Sequence, residues 1–131
     1  MKSVVPYHDL LGVPWKDHGR DKAGLDCYGL LMVLFARKDI ILPEFDYPED
    51  AEISFVHMLI SGKKSLVDEI LKPEPWDIVS ISIVLPYESH LGAVVSDYDF
   101  VHIRRDTRVT VSRLDSPLWR ARIRGFYRWT G

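Results

Sequence analysis

The sequence predicts an α+β fold, in which helices come first and antiparallel strands follow. In the first half of the chain, apolar residues recur at helical spacing from Cys27, as at Leu30, Leu31 and Leu34. After Pro75, apolar and polar residues alternate, which is the two-residue period of a strand. Helices followed by a run of strands are typical of a helical layer packed on an antiparallel meander.

The bulk properties indicate one globular domain over residues 1–131. The chain has 131 residues and is 47% hydrophobic, which is enough to bury a sizeable core. Its single cysteine excludes an internal disulfide framework. We find no run of eighteen apolar residues and no secretory signal, so the sequence predicts no membrane span and a cytoplasmic location as synthesised.

The charge of the chain is unevenly distributed. The net charge is −2, yet residues 101–131 contain eight arginines and only two acidic residues. Arg120, Arg122 and Arg124 alternate with apolar residues, as on the solvated face of a strand. We therefore expect no nucleic-acid partner, although a basic segment could attract one.

In chain order, the first half of the sequence predicts a shaped loop and then helices. The loop spans residues 6–23 with one short turn, and prolines after residue 72 stop all helix. The predicted elements are a turn at His8–Leu11 and helices at Asp26–Lys38, from Ala51, and at Ser65–Leu71.

The second half of the sequence predicts a sheet of about five strands. Alternating apolar and polar residues, separated by polar turns, indicate each strand. The predicted strands are Ile78–Val84, His90–Val95, Asp99–Arg104, Thr107–Arg113 and Trp119–Trp129.

Cys27 lies where an extended segment turns into the first helix. Asp26 precedes it as a candidate N-cap, and Arg37 and Lys38 follow at the negative end of the helix dipole. A thiol in the first turn of a helix has its thiolate stabilised, which favours a nucleophile. A lone cysteine on an apolar stripe is, however, most often an inert small hydrophobe.

Two histidines on neighbouring predicted strands supply candidate partners for the thiol. His90 and His102 are twelve residues apart, so a tight turn between them would bring the imidazoles together. Thiol catalysis needs a thiolate, a base and a third group that orients the base. We expect His18 to line the cleft, and we assign no catalytic role to His8 or His57.

A metal site is the alternative for the same side chains. Cys27, His90, His102 and Asp26 are all of ligating types, but zinc sites usually take ligand pairs at short spacing, and none occurs here. We therefore expect no metal and no other cofactor.

At these residues the chain resembles a known family. The segments Leu11–Trp15 and Gly24–Leu30 resemble the approach loop and nucleophile block of the NlpC-type, papain-like cell-wall cysteine peptidases. Further blocks that are similar, in the same order, are Pro75–Val79, His90–Val94, Phe100–His102 and Ile123–Arg128. Together the blocks span about residues 10–128.

The resemblance implies a papain-like fold and a catalytic set. In it, Cys27 would be the nucleophile, His90 the base and His102 the orienting residue. The implied reaction is hydrolysis of an amide bond in peptidoglycan stem peptides, typically after a D-glutamyl residue. We predict that the substrate site is shaped by Asp26, Trp15, Tyr28 and His18.

The chain departs from the family pattern at three positions. Trp15 stands where many members have tyrosine, Trp76 where glycine is usual, and Tyr28 where a small serine is common. The variant resembles the branch found in phage tails and prophages, which implies tail proteins as partners and the virion tail as a location. A catalytically silent tail component is therefore the alternative function.

Overall fold

A computed structural model describes residues 4–44, 67–82 and 90–130. The predicted helix from Ala51, and His57 with it, lie outside these residues. A 3₁₀ turn spans His8–Leu10. The helices are α1 (Cys27–Ala36) and α2 (Pro117–Arg120); the strands are β1 (Arg20–Asp21), β2 (Gly24–Leu25), β3 (Val67–Ile70), β4 (Ile78–Ile81), β5 (His90–Val94), β6 (Asp99–His102), β7 (Thr110–Arg113) and β8 (Ile123–Trp129).

The predicted α+β architecture, a central helix on an antiparallel sheet, is confirmed. The main sheet has six strands within the described residues, one more than the sequence predicts, in the order β3-β8-β4-β5-β6-β7. All neighbours are antiparallel. Strands β4 to β7 form a meander, and β8 returns to pair with β4 on one side and β3 on the other. A small hairpin, β1-β2, precedes α1.

Helix α1 begins as the sequence predicts and ends earlier. The side chain of Asp26 caps it by accepting a hydrogen bond from Gly29 N. The helix ends at Ala36, so Arg37 and Lys38 follow it, and neither lies in its last turn. Arg37 instead pairs with Asp9. Helix α1 packs against β5, one of the inner strands of the sheet.

The predicted helix at Ser65–Leu71 is wrong where the structure describes it. Residues Val67–Ile70 form β3, which pairs with β8 from Val67↔Trp129 to Ile70↔Phe126. Leu71, the last residue of the predicted helix, is 98% exposed. The spacing of apolar residues fits both periods over so short a segment, and strand pairing with β8 decides between them.

The last predicted strand begins four residues late. Residues Pro117–Arg120 form α2, because Pro117 lies in the first turn, where its fixed φ favours a helix. The strand itself runs over Ile123–Trp129, so Arg120 is not part of a strand face. The strand predicted at Thr107–Arg113 likewise starts only at Thr110, since Thr107 closes a turn with Arg104.

Trp76 adopts a backbone conformation that normally favours glycine. Its φ is 81°, in the left-handed region, at the position where the resemblance places a glycine. The indole packs edge-on against Phe35 at 5.6 Å between ring centres, and the ammonium of Lys38 lies 4.4 Å from its centre. Burial of this large ring offsets the backbone strain, so packing explains the departure.

The sheet is buried on both faces by two separate core clusters. The cluster on the helix side contains Cys27, Leu30 and Leu34 with Leu91 and Ala93 of β5. The cluster on the opposite side is built on Val79, Ile81, Val94 and Phe100, and partly buried residues such as Trp119 cover it. Successive residues of β5 therefore contribute to different cores.

Candidate active site

The structure brings two histidines and a serine together across three adjacent strands. Nε2 of His90 lies 2.9 Å from Nδ1 of His102, and Nε2 of His102 lies 2.8 Å from Oγ of Ser112. The register pairs Gly92 with His102, which puts the three side chains on one face of β5, β6 and β7. The proximity of the two imidazoles that the spacing predicts is confirmed.

Gly92 makes room for this pair. A Cβ atom at Gly92 would lie 2.8 Å from the carbonyl oxygen of Val101 and 3.1 Å from Cβ of His102. The first distance is shorter than real Cβ contacts and the second is tighter than most of them, so the glycine allows β5 and β6 to approach closely beside the imidazoles.

Both imidazoles are held neutral. Each residue is 1% exposed. Burial, followed by the charges of His102 and Arg104, lowers the pKa of His90 well below its ordinary value. Burial and the charge of Arg104 lower the pKa of His102 to about 4. At neutral pH each ring therefore carries one proton and has one nitrogen that can accept another.

Aromatic rings enclose His102. The ring of Trp119 lies edge-on to it at 4.7 Å between ring centres, and that of Phe100 lies 4.5 Å away. Trp119 also contacts His90 at 6.5 Å. These rings exclude water from the imidazole pair, which strengthens its hydrogen bonds.

Cys27 is the first residue of α1 and is 1% exposed. It belongs to the core cluster on the helix side, whereas the imidazoles contact aromatic rings from the other cluster. Helix α1 packs on β5, and β5 begins at His90.

Asp26 organises the segment before Cys27. Its carboxylate accepts hydrogen bonds from the backbone nitrogen of Gly29 at 2.6 Å and that of His18 at 3.1 Å, and it pairs with Arg20 at 3.0 Å. The residue is 3% exposed. These contacts explain how the approach loop is fixed to the start of the helix.

The other residues predicted for the substrate site lie in different settings. Trp15 is partly exposed and, with Asp106 and Arg108, lines a surface cavity of about 540 Å³. Tyr28 is buried, and its hydroxyl donates to the carbonyl oxygen of Pro43 at 2.5 Å. His18 is exposed and has φ 59°. Their roles in binding stay predictions.

Ser112 and Trp119 were missed by sequence reasoning. Ser112 is an ordinary strand residue, and its place beside His102 depends on the register in which Phe100 pairs with Ser112. Trp119 was predicted to lie in a strand, whereas it lies in α2. The alternation of His102 and Phe100 with Val101 is the signal that could have identified this face of β6.

Metal-ligand clusters and membrane-spanning helices were sought among the described residues. No group of three or more His, Cys, Asp or Glu side chains among them is arranged to hold a metal ion. No helix in the same part of the chain is long and apolar enough to span a bilayer.

The fold of this chain is similar to that of proteins with solved structures. The chain is similar in structure to an NLP/P60-family, lipoprotein-like protein of Staphylococcus aureus, with a TM-score of 0.66 and 19% identity over 94% of this chain and 38% of that one. A similar match is an NlpC/P60 family protein from Bacillus cereus, with a TM-score of 0.66 and 17% identity over 93% of this chain and 37% of that one.

This chain spans less than two fifths of the length of either structural relative. A comparison with curated proteins finds no significant match. The sequence profile of the NlpC/P60 family matches residues 12–128, which include the Cys27 helix and both buried histidines. The chain therefore belongs to the NlpC/P60 family.

Proposed function

We propose that this protein is a cysteine endopeptidase that hydrolyses amide bonds in peptidoglycan stem peptides. Membership of the NlpC/P60 family favours a cell-wall hydrolase. The observation that carries the proposal is the arrangement of α1 on β5: the helix begins with a buried thiol, and the strand begins with an imidazole that a second imidazole engages.

In the proposed reaction, Nδ1 of His90 accepts the proton of the Cys27 thiol, and the sulfur attacks the amide carbonyl carbon. The backbone N–H of Cys27, at the positive end of the helix, donates to the resulting oxyanion. The amine leaves with the proton held by His90, and a thioester remains. Water, deprotonated by His90, then hydrolyses the thioester and releases the thiol and the carboxylate product.

His102 would orient the base in this scheme. Its Nδ1 engages Nε2 of His90, so the other ring nitrogen of His90 is the one available to the thiol. Both rings are neutral at pH 7, and the neutral form of an imidazole is the one that accepts a proton.

One observation favours a second candidate, a catalytically silent wall-binding component. Cys27 is 1% exposed, and a substrate carbonyl must reach its sulfur for attack. Trp15, which replaces the tyrosine common in the family, also lacks a hydroxyl. Association with phage tail proteins stays a prediction from the resemblance alone.

Digestion of purified peptidoglycan distinguishes the two candidates. We expect the wild type to release new amino termini, with products identified by mass, and Cys27→Ala to release none while keeping the same thermal unfolding. His8→Ala, at an exposed histidine, is the matched control and should retain activity. If the wild type releases no amino termini from a panel of wall types, the wall-binding component is favoured. If Cys27→Ala is as active as the wild type, the thiol mechanism is excluded.

A further inference from the structure

A small surface pocket adjoins Trp119, the residue that packs against the imidazole pair. Its volume is about 150 Å³, and its lining consists of Arg104, Leu118, Trp119 and Arg122. This is the space of roughly five water molecules, and it accommodates a carboxylate with a small substituent. We call it the Arg104 pocket.

The lining of the Arg104 pocket is cationic. It contains two guanidinium groups and no acidic side chain. The guanidinium carbon of Arg104 lies 5.9 Å from the centre of the Trp119 ring. Among the described residues, Arg104 forms no ion pair with a carboxylate. The guanidinium of Arg122 donates to the carbonyl oxygen of Ser82 at 3.5 Å. A planar guanidinium beside an aromatic ring suits a carboxylate, which it can bind through two parallel hydrogen bonds.

The Arg104 pocket is linked to the imidazole pair in two ways. The ring of Trp119 forms one wall of the pocket and contacts the ring of His102. The charge of Arg104 also reaches both histidines, since it contributes to the lowered pKa of His90 and of His102. An anion held on Arg104 would offset this charge.

We propose that the Arg104 pocket binds a carboxylate group of the peptide substrate, an inference that rests on the function proposed above. Peptide stems carry such groups, and the ring of Trp119, which lines the pocket, lies 6.5 Å from the ring of the candidate base His90. Binding there couples recognition to chemistry, because neutralising Arg104 makes the imidazole pair more basic only when an acidic substrate is present.

Titration with a small carboxylate tests the pocket without catalysis. The probe is N-acetylalanine, its amide is the uncharged comparison, and the readouts are the NMR signals of the Trp119 indole and the His102 ring. In wild type we expect saturable shifts with the acid alone, together with a rise in the pKa of His102. Arg104→Gln should weaken binding of N-acetylalanine at least tenfold, and Arg122→Gln is the second variant that tests the pocket. Arg124→Gln, at an exposed position of β8, is the control and should bind the acid as the wild type does.

The same shifts with the amide, or no shift with the acid, would overturn the proposal. Kinetics supply a separate arm: Arg104→Gln should raise KM about tenfold for a peptide with a free carboxylate and leave KM unchanged for the amidated peptide. An equal loss for both peptides would count against the pocket. If wild type cleaves neither peptide, the proposed function fails, and the titration still decides whether the pocket binds a carboxylate.

Discussion

Nε2 of His90 and Nδ1 of His102 are 2.9 Å apart, and only one of the two can carry the shared proton. Because His102 also contacts the hydroxyl of Ser112, the position of the shared proton depends on whether His102 donates to that hydroxyl or accepts from it. If His102 donates to Ser112, it accepts from His90, and Nδ1 of His90 is then an unprotonated base. The reverse order protonates Nδ1 and blocks the reaction that we propose.

Ser112 should therefore influence turnover without contacting substrate. We expect Ser112→Ala to lower kcat about fivefold, the effect of one hydrogen bond of about 1 kcal/mol, and to leave KM unchanged. Ser112→Thr keeps the hydroxyl and should retain most of the activity. Thr110→Ala, at an exposed position of the same strand, is the control. Wild-type kcat in Ser112→Ala would show that the hydroxyl does not order the protons.

The reactivity of Cys27 should depend on His90. Without a base, a thiol of ordinary pKa is only a few per cent ionised at pH 7. We expect His90→Ala to slow alkylation of Cys27 by iodoacetamide at least tenfold near neutral pH, measured by mass spectrometry, and His8→Ala to leave the rate unchanged. Alkylation of His90→Ala at the wild-type rate would remove the assignment of His90 as base.

The free energy of unfolding should decrease as the pH is lowered below about 6.5. The folded protein keeps His102 neutral down to a pKa of about 4, and His90 also has a lowered pKa, whereas the unfolded chain takes up these protons below about 6.5. Each such histidine lowers the free energy of unfolding by at most about 1.4 kcal/mol per pH unit over that interval. Urea unfolding at pH 7, 5.5 and 4.5 measures the slope. His102→Gln should flatten it, His8→Ala should not, and identical slopes in all three proteins would contradict the assignment.

Asp26 should be important for stability. Asp26→Ala removes the cap of α1 and leaves Arg20 without this carboxylate, so we expect the free energy of unfolding to fall by about 3 kcal/mol. Asp26→Asn keeps a capping oxygen and loses the charge, so it should lower the free energy of unfolding by less than Asp26→Ala does. Urea unfolding at pH 7 compares the two. A loss within 0.5 kcal/mol for Asp26→Ala, a change typical of surface sites, would rule out this role.

Local signals explain what the sequence could predict. The cap at Asp26 and the apolar spacing after Cys27 specify α1, and the twelve residues from His90 to His102 fit a hairpin with a tight turn. These features depend on neighbours in the chain, and the structure retains them. The apolar spacing around Val67 fits a helix as well as a strand, and only pairing with β8, some sixty residues later, selects the strand.

The rest of the candidate site depends on contacts between distant segments. Ser112 reaches His102 through the register of β6 and β7, and Trp119 reaches it because α2 folds back onto the sheet. Trp76 shows packing overriding a backbone preference, since a buried indole is retained at positive φ. No periodicity in the sequence encodes these relationships.

The position of β8 has a consequence for synthesis. This strand lies between β3 and β4, both of which precede it by more than forty residues. A nascent chain in which Ile123–Trp129 is still inside the ribosome exposes an unpaired edge on each of those strands, and such edges invite aggregation. Chaperone demand should therefore peak just before β8 emerges from the exit tunnel.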